Sequence, residues 1–191
     1  MSDKGLTIFD IDRTLFNSNA KVGIEKDGQI IKILSDAEFN AYKLAEGEAF
    51  DFSQFRSAEV FQATAKPIES MLAKAKAITA NAVAKGSKVI IVTARGDMDD
   101  KDLFVGFFEK HGLDMDNIYI ERAGNIGLGT ASENKKVVFR KYLDSGEYKR
   151  VRLFDDDIDN LRAFTSLKPS YPEAAFEAYL VREDGNIETV G

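Results

Sequence analysis

Four short apolar runs most constrain what this chain can fold into. They are Leu6-Thr7-Ile8-Phe9, Val89-Ile90-Ile91-Val92, Asn117-Ile118-Tyr119-Ile120 and Val151-Arg152-Leu153-Phe154. Each has the length and residue types of a buried strand. Helical segments lie between them. Residues 69–85 are rich in Ala, Met, Leu and Ile, and Gly86 provides a stop. Leu103, Phe104, Phe107 and Phe108 recur at helical spacing ahead of His111 and Gly112. A third helix is predicted over 132–143, with Ser132 as its cap and Lys135 standing where a capping box normally has an acid. Strands alternating with helices in this way predict an α/β, doubly wound, parallel sheet covered on both faces. In such folds ligands bind outside the carboxyl ends of the strands, so the residues just after each strand are the candidates for chemistry.

Residues 17–66 interrupt the alternation. Two apolar stretches, 21–25 and 29–34, flank Lys26-Asp27-Gly28, and Asp-Gly is a strong hairpin signal. Ser35-Asp36-Ala37-Glu38 is a capping box that predicts a helix of about ten residues. The expected organisation is therefore an α/β core from 1–16 and 67–191, with a small α+β subdomain inserted at 17–66 after the first strand. Phe50, Phe52, Phe55 and Phe61 are expected to form the insert's own small core; the other reading is that they line a pocket or stack a base. The stretch 178–190 predicts a final hairpin turning at Asp184-Gly185. A length of 191 residues suits one domain with an insertion, and 44% hydrophobic with 30% charged residues is a globular composition. With no cysteine, disulfides, thiol catalysis and zinc–thiolate sites are excluded. No apolar stretch is long enough to span a membrane, and residues 1–5 lack the regions of a signal peptide, so a cytoplasmic location is expected.

Two of the four runs end in acids. The first leads into Asp10-Ile11-Asp12-Arg13-Thr14, the last into Asp155-Asp156-Asp157-Ile158-Asp159-Asn160. Carboxylates at a strand end are costly to bury without a partner, and a hard divalent cation with oxygen ligands removes that penalty. If both strands are parallel, the two clusters share one edge of the sheet. The net charge of −6 fits such a site and argues against indiscriminate nucleic-acid binding. The second run ends in Thr93-Ala94-Arg95-Gly96, where a hydroxyl and backbone N–H groups can hold phosphate oxygens. Lys135-Lys136, at the start of a helix, can bring an ammonium to the same edge; Lys135, nearer the helix start, is favoured. Gly124, Gly127 and Gly129 do not follow a dinucleotide-binding order and are expected to be a connector. His111, the single histidine, is expected to have a surface role at a helix end.

In order and spacing these elements resemble the haloacid dehalogenase (HAD) superfamily over about residues 5–165: Asp10-x-Asp12-x-Thr14, then Thr93 after an apolar strand, then Lys135 or Lys136, then Asp155-Asp156 with Asn160. The resemblance implies a Mg²⁺-dependent phosphatase. Asp10 would be the nucleophile and Asp12 the general acid and base. Thr93, Ala94, Arg95, Lys135, Lys136 and Arg13 would bind substrate. Asp10, the Asp12 backbone carbonyl and Asp156 would hold the metal, supported by Asp155 and Asn160. The presence of an acid at Asp12 favours phosphoryl over dehalogenase chemistry. The position after it is commonly small in the family, and here it is Arg13, which puts the local turn in question. The implied substrate is a nucleotide, sugar phosphate or other small phosphomonoester. Two alternatives remain. The run from Lys135 to Leu143, a strand, and Asp155-Asp156 looks like the phosphatase half of polynucleotide kinase-phosphatases, which act on a 3′ end. The local basic bias of Lys136, Arg140, Lys141, Lys149, Arg150 and Arg152 is expected to be a solvated helix face, the other reading being a track for a phosphorylated polymer. The second alternative is a non-catalytic phosphate-binding module on a HAD scaffold.

Overall fold

The computed structural model describes residues 4–191, with the side chains of all of these except Asp36 and Asn40. The residues before position 4, part of the stretch inspected for a signal peptide, lie outside the described residues.

The chain begins with β1 (Gly5–Phe9), which becomes the middle of the main sheet. The excursion that follows holds β2 (Phe16–Asn17), β3 (Val22–Lys26), β4 (Gln29–Leu34), α1 (Asp36–Ala41), β5 (Glu48–Asp51), α2 (Ala58–Thr64) and β6 (Lys66–Pro67). The chain then runs through α3 (Glu69–Lys85), β7 (Lys88–Thr93), α4 (Lys101–Lys110), β8 (Ile118–Arg122), α5 (Ala131–Leu143), β9 (Arg150–Asp155), α6 (Ile158–Thr165), β10 (Ala175–Val181) and β11 (Ile187–Val190). The six-stranded sheet has the order β11-β10-β9-β1-β7-β8. All its pairs are parallel except β10–β11, the C-terminal hairpin. The fold is α/β with a mostly parallel sheet, as the alternation predicts. No described helix is long and apolar enough to cross a membrane.

Because successive side chains of a strand point to opposite faces, the sheet feeds two cores. Phe9, Val89, Ile91, Ile118, Ile120 and Phe154 pack on one face with Met71, Leu72 and Ala75 of α3 and Phe104, Phe107 and Phe108 of α4. Leu6, Ile8, Ile90, Val92, Val151 and Leu153 pack on the other with Val138, Phe139 and Leu143 of α5 and Leu161 and Phe164 of α6. Rings of Phe9, Phe154 and Tyr179 stack across three neighbouring strands at centroid spacings of 4.9 and 4.8 Å. Helix α3 ends at Gly86, whose φ of 72° is the left-handed conformation that glycine adopts without strain. The cap of α5 differs from the sequence expectation. Thr130, not Ser132, caps the helix, and Glu133 completes a full capping box, so Lys135 is free of any capping duty.

Antiparallel pairing of Phe16 with Pro67 and Asn17 with Lys66 brings the two ends of the excursion together. Within it, β3 lies between β4 and β5 in a separate three-stranded antiparallel sheet. The β3–β4 hairpin turns at Asp27 and Gly28, whose φ angles of 52° and 77° are those of the turn that Asp-Gly favours. Helix α1 has its capping box but is six residues long, shorter than expected. Its end coincides with Tyr42 Oη and the Ala45 N–H both donating to the Glu48 carboxylate, which draws the chain toward β5. The phenylalanines divide. Phe50 and Phe52 cluster with Phe39, whereas Phe61 on α2 joins the main core against Phe16, Phe104, Phe107 and Phe108. His111 caps α4, but it is half-buried, packed edge-on against Phe16 and Phe107, and not at the surface as expected; it does not line the cavity described below.

Candidate active site

Parallel registry brings the two acidic clusters together. Phe9 pairs with Phe154, so the next residues, Asp10 and Asp155, stand side by side at the carboxyl ends of neighbouring strands. The Asp10 N–H still donates to the Phe154 carbonyl at 3.0 Å, which fixes the backbone beneath the carboxyl group. After Asp10 the chain turns tightly: the Ile11 carbonyl accepts from the N–H groups of Thr14, Leu15 and Phe16. Arg13 holds this turn at φ 63°, in left-handed space that disfavours a side chain by about 1–2 kcal/mol. Glycine, which has no Cβ, would adopt this conformation without that cost. The turn returns the Thr14 hydroxyl to donate to Asp10 Oδ2 at 3.2 Å.

Lys135 ties the acids together. It projects from the first turns of α5 and is 1% exposed, and its Nζ donates to Asp10 Oδ1 at 2.9 Å and to Asp155 Oδ2 at 2.8 Å. Burial by itself would lower its pKa, but the two carboxylates outweigh burial and raise it, so the ammonium stays charged. Lys136, its neighbour, has no such contacts with the acids and does not line the cavity. The Asp157 N–H and the Asn160 side-chain amide donate to Asp155. Asp157 itself caps α6, and Asp159 sits in that helix's first turn, so these two acids have local structural partners.

Asp10, Asp155 and Asp156 each place a carboxylate oxygen within 4.8 Å of the others'. The Asp10 carboxyl is pushed well above its ordinary range, first by burial and then by Asp155. Asp156 is pushed up to about 6, again chiefly by burial. With all three carboxyl groups ionised, the one ammonium would leave two negative charges uncompensated, which is why burial favours a proton there when no cation is bound. A divalent cation would cancel them. Asn160 Oδ1 is buried with no protein partner, a further oxygen suited to a cation or its water shell. The donor set is all oxygen and so fits Mg²⁺.

Asp12 stands apart from this cluster. Arg95 grips it in a fork, Nε to Oδ2 at 2.8 Å and an Nη to Oδ1 at 2.7 Å. Ser18 donates to the same Oδ1. The other Arg95 Nη donates to the Phe55 carbonyl at 2.9 Å, and the guanidinium lies 5.2 and 5.0 Å from the Phe55 and Phe61 ring centres. Arg95, expected from sequence to bind substrate, therefore has its donors committed to Asp12, Ser18 and Phe55. Thr93 ends β7 fully buried, with its hydroxyl accepting from the Arg95 N–H at 3.1 Å. Ala94 and Arg13 line the cavity.

That cavity has a volume of about 830 Å³ and opens above Asp10, Asp12, Lys135 and Asp156. Its remaining walls include residues that sequence reading had not assigned to a site. Ser18, Phe39, Phe52, Phe55 and Arg56 come from the excursion, and Gly124 and Asn125 from the loop after β8. Gly124 approaches the 94–96 turn so closely that a Cβ there would lie 2.5 Å from the Ala94 carbonyl oxygen. The glycine-rich connector thus supports the wall after β7. Only the Phe cluster gave any sequence signal of this lining. A second cavity, of about 590 Å³, lies at the opposite edge of the sheet among Lys4, Ser87, Lys88 and Tyr148 and contains no member of the acid cluster. The basic residues noted in the sequence do not converge on the site: Lys141 pairs with Glu121, Arg150 pairs with Glu177 at the far end of β9, and Arg152 donates to Thr7.

No family model matches the chain, and no curated protein matches it in sequence. Among solved structures it is similar to the HAD domain of the effector protein Lem4 from Legionella pneumophila, at 13% identity and a TM-score of 0.48, over 93% of this chain and 85% of that one.

Proposed function

We propose that the chain is a Mg²⁺-dependent phosphomonoester hydrolase working through an aspartyl-phosphate, with residues 17–66 forming a small cap beside the cleft. The observation that carries this reading is the buried meeting of Asp10, Asp155, Asp156 and Lys135 at adjacent parallel strand ends, with two negative charges in surplus once all three carboxyl groups are ionised. Asp10, Asp155 and Asp156, with Asn160 and the Asp12 backbone in support, would hold Mg²⁺, which when bound offsets charge on the transferring phosphoryl group.

Asp10 is placed to attack phosphorus, forming an O–P bond as the bond to the leaving alcohol breaks. Lys135 holds one oxygen of Asp10 and Thr14 the other, which orients the nucleophile. Asp12 rests in the Arg95 fork as a carboxylate at the cavity wall; to serve as the acid it takes a proton from solvent, leaves the fork and passes that proton to the leaving oxygen. In the second half it takes a proton from water, which attacks phosphorus, releases inorganic phosphate and restores Asp10. Thr93 acts in this scheme through the turn it anchors, whose Ala94, Arg95 and Gly96 face the cavity.

The test is hydrolysis of p-nitrophenyl phosphate with and without Mg²⁺, comparing the native chain with Asp10→Asn. Mg²⁺-dependent turnover that disappears in the variant is expected. Turnover that persists in the variant would overturn the role of Asp10, and failure to bind Mg²⁺ would overturn the metal site.

A further inference from the structure

We propose that the preferred substrates are phosphomonoesters whose alcohol carries a planar aromatic ring, seated against Phe39, Phe52 and Phe55; this rests on the phosphatase reading of Asp10. The cavity has a mixed lining: Asp10, Lys135 and Asp156 share it with Phe39, Phe52, Phe55, Ala20 and Val22. Phe52 is 47% exposed although it belongs to a concave site, and an exposed large aromatic in a cleft is a surface suited to a ligand. Its ring packs edge-on to Phe39 at 5.9 Å and tilted against Phe50 at 6.1 Å, which leaves the rest of its surface open to the cavity.

The leaving group must lie toward Phe55. Asp12 protonates the leaving oxygen in the proposed mechanism, and the Arg95 that grips Asp12 also binds the Phe55 carbonyl and lies against the Phe55 ring. One guanidinium therefore registers the aromatic wall to the acid. Ring faces reward a flat partner beyond the area it buries, which an aliphatic chain does not receive. Arg56 and Asn125 on the same lining offer polar groups to the edge of a heterocycle. A volume of about 830 Å³ suits one nucleoside-sized group, and the basic residues that would track a polymer point elsewhere.

The experiment compares kcat/KM for adenosine 5′-monophosphate, ribose 5-phosphate, phenyl phosphate and hexyl phosphate, in the native chain and in Phe52→Ala. The first two differ only by the base. Because phenol leaves more readily than hexanol in any case, the readout is the fall of each aromatic-to-non-aromatic ratio of kcat/KM in Phe52→Ala, and a fall of roughly tenfold is expected. A fall confined to the nucleotide would identify a nucleoside as the ring's source, and a fall shared with phenyl phosphate an aryl group in general. A preference unchanged by Phe52→Ala, or an equal fall for hexyl phosphate, overturns the proposal while leaving the phosphatase reading intact. If none of the four esters turns over, the phosphatase reading fails on its own evidence. Calorimetric binding of the two ribose esters to Asp10→Asn then still measures the preference for the base, and equal affinity overturns it.

Discussion

Replacing Lys135 with Met tests the charge balance of the site directly. Methionine fills much of the same volume but leaves Asp10 and Asp155, both buried, without their shared ammonium. Removing one partner of a buried ion pair destabilises a protein by about 3–5 kcal/mol. At roughly 2–4 °C per kcal/mol for a domain of this size, Tm should fall by about 6–20 °C at pH 8 without metal. The pH dependence has a definite sign. Burial and Asp155 already raise the folded-state pKa of the Asp10 carboxyl, so above its unfolded value the folded chain holds the extra proton. Stability therefore falls as pH rises through that window. Losing Lys135 raises the carboxyl further, so the defect should be smaller at pH 5 than at pH 8. Mg²⁺ should raise the Tm of Lys135→Met more than that of the native chain, because the carboxyl groups that ionise when the cation binds then have no ammonium beside them to repel it. Thermal unfolding followed by circular dichroism, with and without Mg²⁺ at both pH values, reads all three effects. A Tm within about 3 °C of native, or an equal Mg²⁺ shift in both proteins, would refute the account of a buried, undercompensated cluster.

Three further outcomes follow from the same geometry. Since Asp156 is pushed up to about 6 and Asp10 lies well above its ordinary range, protons should compete with Mg²⁺ in acid; its affinity should weaken on going below about pH 6, by up to tenfold per pH unit for each proton displaced, as measured by calorimetry. Arg95→Lys keeps a charge but loses the fork on Asp12 and cannot also reach Ser18 and the Phe55 carbonyl in the same way; kcat should fall by roughly 10–100-fold with a smaller change in KM, as steady-state kinetics would show. Gly124→Ala puts a methyl group against the Ala94 carbonyl and the Arg95 backbone, neither of which can rotate away; a loss of about 1–3 kcal/mol in denaturant titration, with reduced kcat/KM, is expected.

Much of the fold is legible locally. The runs at 6–9, 89–92, 117–120 and 151–154 fall within or against β1, β7, β8 and β9, because strands covered on both faces are largely apolar, and that pattern needs no tertiary information. Gly86 and the Asp27-Gly28 pair mark their turns because left-handed backbone selects residue type locally. Asp10 and Asp155 could be expected to meet once both strands were taken as parallel, since registry alone sets neighbours at a strand end.

The sequence by itself thus determined the α/β alternation, the hairpins and the acids at the strand ends. Its preference for Lys135 over Lys136 rested on position along the helix alone, because the two are adjacent and chemically equivalent until the rotation of α5 on the sheet turns one inward. It could not assign the carboxylates of 155–159: the burial of each depends on how β9 hands over to α6, which leaves Asp155 and Asp156 at the cluster and gives Asp157 to the helix cap. The clamp of Arg95 on Asp12 joins residues 83 positions apart. The division of the phenylalanines between core and cavity likewise depends on how the 17–66 excursion packs against α4. These are long-range packing outcomes, and no local propensity encodes them, because the same side chain is equally at home in either place until its neighbours arrive.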